Sequence, residues 1–307
     1  MLFLWIFAAL AAFVLLASFL CFLTAFYAPK RKKKKEEEFP IPPGEIYKPY
    51  RQVMIGWMKQ VRAMPCREFS IRSFDGLQLC GKYYEYAPGA PVELMFHGYR
   101  GSAERDLCGG VQRCFALGHS ALIVDQRTSG KSEGRVITFG VKEHKDCLAW
   151  VDFMVKHFGS DVKIILTGIS MGASTVMLAA GEPLPENVIG ILVDCGYTSA
   201  EKIIKKVMRQ IHLPANLLYP LVRLGAILWG GFDPKMADCT EAAKKCAVPA
   251  VFVHGKADDF VPASMSEENC RACPAKKILF TVPGAGHGLA YPADEETYLQ
   301  HLRGFYE

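Results

Sequence analysis

Charge is what this chain has least of where it begins, and has little of elsewhere. Met1 to Ala28 contains no Asp, Glu, Lys or Arg, which excludes a solvated helix or a basic leader region there. The 307 residues carry a net charge of +5, and three of those five charges come from one block. That block is Lys30, Arg31, Lys32, Lys33, Lys34 and Lys35, followed by Glu36, Glu37 and Glu38. No basic face is left over, so the composition argues against a nucleic-acid partner. A zinc ligand set is also missing: Cys270 and Cys273 form one CxxC, with no second pair or histidine at zinc spacing. The eleven cysteines are odd in number and irregularly spaced. They read as free, packed thiols of a reducing compartment rather than a disulfide framework.

What the N-terminus does have is apolar length. At ~1.5 Å per residue, residues 1–28 exceed a hydrocarbon core of roughly 30 Å. A cleaved signal peptide wants a basic start, a shorter apolar core and a small-residue cleavage site. Nothing basic precedes this run, and Leu20 stands before Cys21 where lipoprotein processing needs a small residue. The expectation is an uncleaved, single-pass anchor at the cell membrane. The basic block after it places the body on the cytoplasmic side.

Residues 29–65 read as a linker. FPIPPG at 39–44 is a stiff spacer. Tyr47 to Ala63 is an amphipathic helix with Val53, Met54, Trp57 and Val61 on one side. That side can lie on anionic lipid or pack on the body, and packing is the simpler reading.

From Cys66 to the C-terminus, strand and helix patterns alternate. Strands are expected at 68–73, 77–84, 92–96, 121–124, 162–167, 188–193, 250–253 and 278–282. Helices are expected at 103–117, 142–158, 170–180 and 291–305. This alternation predicts an α/β domain, a mostly parallel sheet covered by helices on both faces. Between Asp194 and Val248 no strand pattern occurs, and much of the interval is apolar and helical. It reads as a small helical lid, at about 197–247.

Chemistry-bearing residues fall at the ends of these predicted strands. Gly168-Ile169-Ser170-Met171-Gly172 is a G-x-S-x-G between a strand and a helix, the setting in which a serine stands on a tight turn. A serine hydroxyl needs a base. His287, in Gly286-His287-Gly288 after the last strand, is in the required loop. The base needs a carboxylate to hold its tautomer. Asp258, in HGKADDFVP after the preceding strand, is the first choice, with Asp259 and Asp194 as alternatives. The oxyanion of an acyl-transfer intermediate needs two backbone N–H donors. Met171 and Tyr99, the latter in the loop His97-Gly98-Tyr99-Arg100-Gly101, would supply them. His97 reads as a brace for that loop. No metal or organic cofactor is called for.

HGYRG, DQRTSGKSEG, GISMG, HGKADDFVP and GAGH occur in the order and spacing of the α/β-hydrolase superfamily. From Cys66 onward the chain resembles its serine aminopeptidase and monoacylglycerol-lipase-like branch, which includes bacterial membrane-anchored hydrolases. The resemblance implies the α/β-hydrolase fold and a Ser170–His287–Asp258 triad. It also implies that Asp125, Arg127, Gly130 and Ser132 build a structural turn. The expected activity is hydrolysis of a carboxylic ester or thioester on a small-molecule or lipid-like acyl substrate. A peptidase acting on short peptides and a non-catalytic membrane scaffold are the other readings.

Overall fold

The computed structural model describes residues 1–29 and 38–306, with the side chain of Tyr306 excepted. The basic block at 30–35 lies outside the described residues. The chain opens with α1 (Leu2–Ala25), passes through a short 3₁₀ turn at Glu45–Tyr50, and forms α2 (Arg51–Ala63). The body then runs β1 (Arg67–Arg72), β2 (Gln78–Tyr84), β3 (Val92–Phe96), α3 (Ala103–Ala116), β4 (Ser120–Asp125), α4 (Glu143–Phe158), β5 (Ile164–Ile169), α5 (Met171–Ala180) and β6 (Val188–Asp194). It continues with α6 (Ala200–Gln210), α7 (Ala215–Gly230), α8 (Cys239–Ala243), β7 (Ala250–Gly255), α9 (Ala263–Ala272), β8 (Lys277–Val282), α10 (Ala290–Ala293) and α11 (Glu295–Tyr306).

The eight strands form one sheet in the order β1-β2-β4-β3-β5-β6-β7-β8. β1 and β2 pair antiparallel, joined by the turn at Asp75-Gly76, and β2 pairs antiparallel with β4. All later neighbours are parallel. The composition explains the split. β3 (VELMF) and β7 (AVFVHG) are buried at every position, as parallel strands covered on both faces must be. β1 (REFSIR) is exposed at four of its six positions and takes the edge.

Several helix ends carry their own stop or start signal. Ser102 and Ser199 accept the Arg105 and Lys202 N–H groups as N-caps of α3 and α6. α7 ends at Gly231, whose φ of 66° is left-handed. The single helix expected at 291–305 is instead two, α10 and α11, because Asp294 breaks out of helical conformation and its carboxylate caps the second through the Thr297 N–H. α2 settles its own alternatives: Met54, Trp57, Met58 and Val61 are buried against α3, and Trp57 meets Tyr291 with ring centroids 5.5 Å apart.

β3 carries a charge deep into the core. Glu93 on β3 is fully buried and pairs with Arg113 on α3, with His119 Nδ1 at 3.0 Å and the Thr167 hydroxyl donating at 2.8 Å. Burial works to raise its pKa. The Arg113 charge and the bonds from His119 and Thr167 outweigh that and set it at about 2. Because the folded value lies below that of a free glutamate at ~4.3, ionised Glu93 adds stability above about pH 4 and loses it as pH falls towards 2. Glu93→Gln should cost about 3 kcal/mol at neutral pH by leaving Arg113 unpaired. It should also flatten the fall in Tm between about pH 4 and 2. Thermal unfolding across that range checks this, and parallel curves for both proteins would remove Glu93 as the titrating group.

Candidate active site

The site is built where β5 ends. Ser170 has φ 58° and ψ −119°, a strained conformation for a residue with a side chain. Two close approaches hold it there. A Cβ on Gly172 would lie 2.0 Å from the Phe96 carbonyl oxygen, and one on Gly168 would lie 2.1 Å from the Gly172 carbonyl oxygen. Only glycine fits either position, so the G-x-S-x-G spacing is a packing requirement. The Ser170 N–H donates to Asp194 O at 2.8 Å, fixing the turn to the end of β6.

The structure brings the expected side chains together. Ser170 Oγ lies 2.9 Å from His287 Nε2, and His287 Nδ1 lies 2.7 Å from Asp258 Oδ2. With Nδ1–H donating to the carboxylate, Nε2 is left to accept from the serine hydroxyl. Asp258 Oδ1 accepts the Phe260 and Val261 N–H groups at 2.9 and 2.8 Å. Burial works to raise the Asp258 pKa, but hydrogen bonds from His254 and then His287 outweigh it and hold the carboxyl well below the usual range. The two alternative acids are elsewhere. Asp259 has an exposed side chain. Asp194 accepts from Tyr298 Oη at 3.0 Å, and burial pushes its pKa up.

The backbone around the serine is open on one side. Neither the Tyr99 nor the Met171 N–H has a hydrogen-bond partner among the described residues. Both flank the serine: Met171 follows it, and a Cβ on Gly98 would stand 3.8 Å from Ser170 Oγ. His97 braces this loop as expected. Its Nε2 accepts the Gln126 N–H at 3.0 Å and its Nδ1 faces Gly98 O at 2.8 Å. Behind it, Asp125 receives the Ala103 and Lys131 N–H groups. Gly130 has φ 50°, and a Cβ there would collide with Asp125 Oδ2. Ser132 Oγ donates to Asp125 O. Arg127 pairs with Asp146 and Asp75. The DQRTSGKSEG segment is thus a scaffold turn.

Three supports were missed in the sequence. His254 Nε2 lies 3.1 Å from Asp258 Oδ2 and 2.8 Å from Val261 O, while Ser266 Oγ meets its Nδ1 at 2.7 Å. The His-x-x-x-Asp spacing within HGKADD was the available signal. Tyr47 Oη donates to His287 O at 3.0 Å, a contact across 240 residues that no local pattern announces. Burial pushes the Tyr47 phenol up, so it stays a donor. Tyr99 Oη donates to Ala25 O at 2.7 Å, and Arg100 donates to Thr24 O and Tyr27 O at 2.8 and 3.2 Å. The loop carrying the Tyr99 N–H is therefore tied to the C-terminal end of α1. Arg100 and Tyr99 occupy carbonyls that a helix end leaves without partners.

Cys195, Asp258 and His287 also offer ligand atoms within 4.8 Å of one another. The arrangement fits a hydrogen-bonded pair better than an ion. His287 Nδ1 and Asp258 Oδ2 already point at each other, and burial holds the Cys195 thiol far above its ordinary pKa.

The fold has counterparts among known structures. An esterase of Pyrococcus furiosus, Pf2001, superposes with a TM-score of 0.65 at 20% identity, covering 87% of this chain and 95% of the esterase. Est1E from Butyrivibrio proteoclasticus, solved with ferulic acid bound, gives 0.59 at 21% identity over 78% of this chain and 97% of that one. The fold is that of the α/β hydrolases. Among curated proteins, this chain is similar to the uncharacterised YqkD of Bacillus subtilis, 26% identical over 190 residues. That match spans 62% of each protein. It is also similar to the uncharacterised Rv2307c of Mycobacterium tuberculosis, 25% identical over 244 residues and 78% of each. No established family profile matches the chain.

The elbow makes a direct prediction. Gly172→Ala places a methyl group against the Phe96 and His97 carbonyls and should cost about 3 kcal/mol or more, beyond ordinary overpacking, because backbone and not side chain must yield. Denaturant unfolding reads this, and a loss under about 0.5 kcal/mol would mean that β3 and α5 are not in contact as described.

Proposed function

We propose that the protein is a serine hydrolase that cleaves carboxylic ester or thioester bonds through an acyl-enzyme. One observation carries the reading: Ser170, His287 and Asp258 stand in line at hydrogen-bond distances beside two unpartnered backbone N–H groups. In the proposed reaction, Ser170 Oγ attacks the substrate carbonyl carbon while His287 Nε2 takes its proton. Asp258 holds the tautomer and stabilises the imidazolium. The Tyr99 and Met171 N–H groups bind the oxyanion. His287 then gives its proton to the leaving oxygen or sulfur. Water, deprotonated by the same imidazole, releases the acid and restores Ser170.

The positions 197–247, containing α6, α7 and α8, are proposed as a cap over this site. Its apolar composition favours substrates with an apolar acyl part. A small cavity beside the elbow, lined by Met54, Trp57, Ile169 and Tyr291 together with Arg105 and Asp106, is a candidate subsite.

α1 is proposed as a retained membrane anchor with the body on the cytoplasmic side. It is long and apolar enough to cross a membrane. A signal sequence passes the same test, but a cleaved one leaves the domain it preceded intact. Here Phe26 is 0% exposed, packed between Phe139 and Phe232 at 5.7 and 5.2 Å, and the Ile137 N–H donates to its carbonyl. Removing the helix would open the core. The basic block that follows supports the orientation.

The test uses the full chain in detergent with p-nitrophenyl esters from acetate to palmitate and a fluorophosphonate probe. Ser170→Ala should abolish both turnover and labelling. Asp258→Asn should lower kcat about 10⁴-fold through the wrong histidine tautomer. Turnover unchanged in Ser170→Ala would remove Ser170 as nucleophile. A folded wild-type protein that neither turns over nor labels would favour the scaffold reading, and labelling without ester turnover would favour peptides.

A further inference from the structure

α7 is apolar apart from Asn216, Tyr219 and Arg223, which is unusual for a surface helix. Ala215, Tyr219, Val222, Gly225, Ala226 and Gly230 are buried, on the side that packs against α1 and α6. The opposite side carries Leu217, Leu221, Leu224 and Leu228, at i, i+4, i+7 and i+11. Leu217 and Leu228 are 73% and 49% exposed. α7 has no acidic residue, and its one charge, Arg223, is turned aside into a pair with Asp233 at 2.6 Å.

This stripe continues onto α1. A Cβ on Gly225 would lie 2.3 Å from Ser18 O, so the two backbones touch. The Trp229 ring meets Phe19 at 5.1 Å, and its Nε1 reaches Ser18 Oγ at 3.5 Å. The base of α1 cannot swing away, because Phe26 is buried and Tyr99 and Arg100 hold its last carbonyls.

That fixed geometry sets a depth. α1 has 24 residues, and a hydrocarbon core takes ~20 of them. Every run of about that length within Leu2–Ala25 includes Val14, Ala17 and Ser18. Ser18 is the residue against Gly225. If α1 spans, the middle of α7, at Gly225, is carried at least about 5 Å below the hydrocarbon boundary, within the ~5–10 Å depth of interfacial helices.

We propose that the outer face of α7 lies in the same bilayer leaflet as the base of α1, sinking the cap into lipid and bringing the oxyanion loop to the lipid boundary. The inference rests on the anchor reading of α1. The occupant is the acyl region of a bilayer: the stripe runs into a helix of membrane-spanning length without a polar break, and a leaflet is what surrounds that helix. With the cap at this depth, an amphiphilic substrate would reach Ser170 from the leaflet without crossing water.

Photo-crosslinking in membranes tests this. Photoreactive benzoylphenylalanine is placed singly at Phe7, Leu224, Leu228 or Lys156 in the full chain. Each protein is reconstituted into vesicles of equal parts phosphatidylcholine and phosphatidylglycerol carrying a radiolabelled phospholipid. The proposal expects lipid adducts at Phe7, Leu224 and Leu228, each about tenfold above the exposed Lys156 position on α4. Adducts at Phe7 alone would leave the anchor standing and overturn the embedded cap. Protein–protein adducts at Leu224 and Leu228 would assign the stripe to a second copy and also overturn it. No lipid adduct at Phe7 would overturn the anchor reading, and the proposal with it.

Discussion

The molecule depends on one close approach, the backbone of Gly172 lying against the carbonyls of Phe96 and His97. The contact brings the start of α5 onto the end of β3. It forces Ser170 into its positive-φ turn and brings the Met171 N–H near the loop that follows β3. A strained residue of this kind costs of order 1–3 kcal/mol and persists only where its surroundings over-determine it. Here they do: the Ser170 N–H is spent on Asp194 O, β3 beside it is fully buried, and His97 locks the neighbouring loop to Gln126.

Around this elbow the polar groups are arranged so that each partner is itself held. His287 is fixed at three points, by Asp258 and Ser170 on its ring and by Tyr47 on its carbonyl. Asp258 is fixed at four, including His254, which lies beyond hydrogen-bond contact with the serine. A buried carboxylate accepting this many hydrogen bonds remains ionised despite burial, the state that pairs with an imidazolium. α6 adds a further hold: the side chains of Lys206 and Gln210 both donate to Asp259 O, tying that helix to the loop that carries Asp258.

The fold and the serine, histidine and aspartate were legible because each sits at a strand end marked by small residues. Gly168, Gly172, Gly286 and Gly288 are local signals of close approach, and the order of the motifs carries the rest. Burial in β3, β6 and β7 follows from their mostly apolar runs, with Glu93 in β3 the exception that needs a buried partner. The long-range supports were not legible. Tyr47 to His287, Arg100 to Thr24 and Glu93 to Arg113 join segments whose local patterns are unremarkable, and only the packed chain shows them. The split of the C-terminal helix escaped for a different reason: Asp294 is a good cap but also an ordinary helix residue, and tertiary context decided between them.

α1 exposes a more general limit. Its sequence is apolar on every side, so periodicity gives no hint of which residues face protein. Yet the structure divides it. Residues 2–13 are exposed throughout, whereas Ser18, Phe22 and Phe26 are buried against α7 and the body. A hydropathy scale treats both parts alike, because lipid and protein core are equally apolar neighbours. What separates them is steric and polar detail: Gly225 opposite Ser18, and Tyr99 and Arg100 waiting for the last carbonyls. The helix is therefore both a candidate span and a wall of the body. Its second role explains why the loop bearing the Tyr99 N–H would lose its footing if the first 28 residues were treated as a detachable tether.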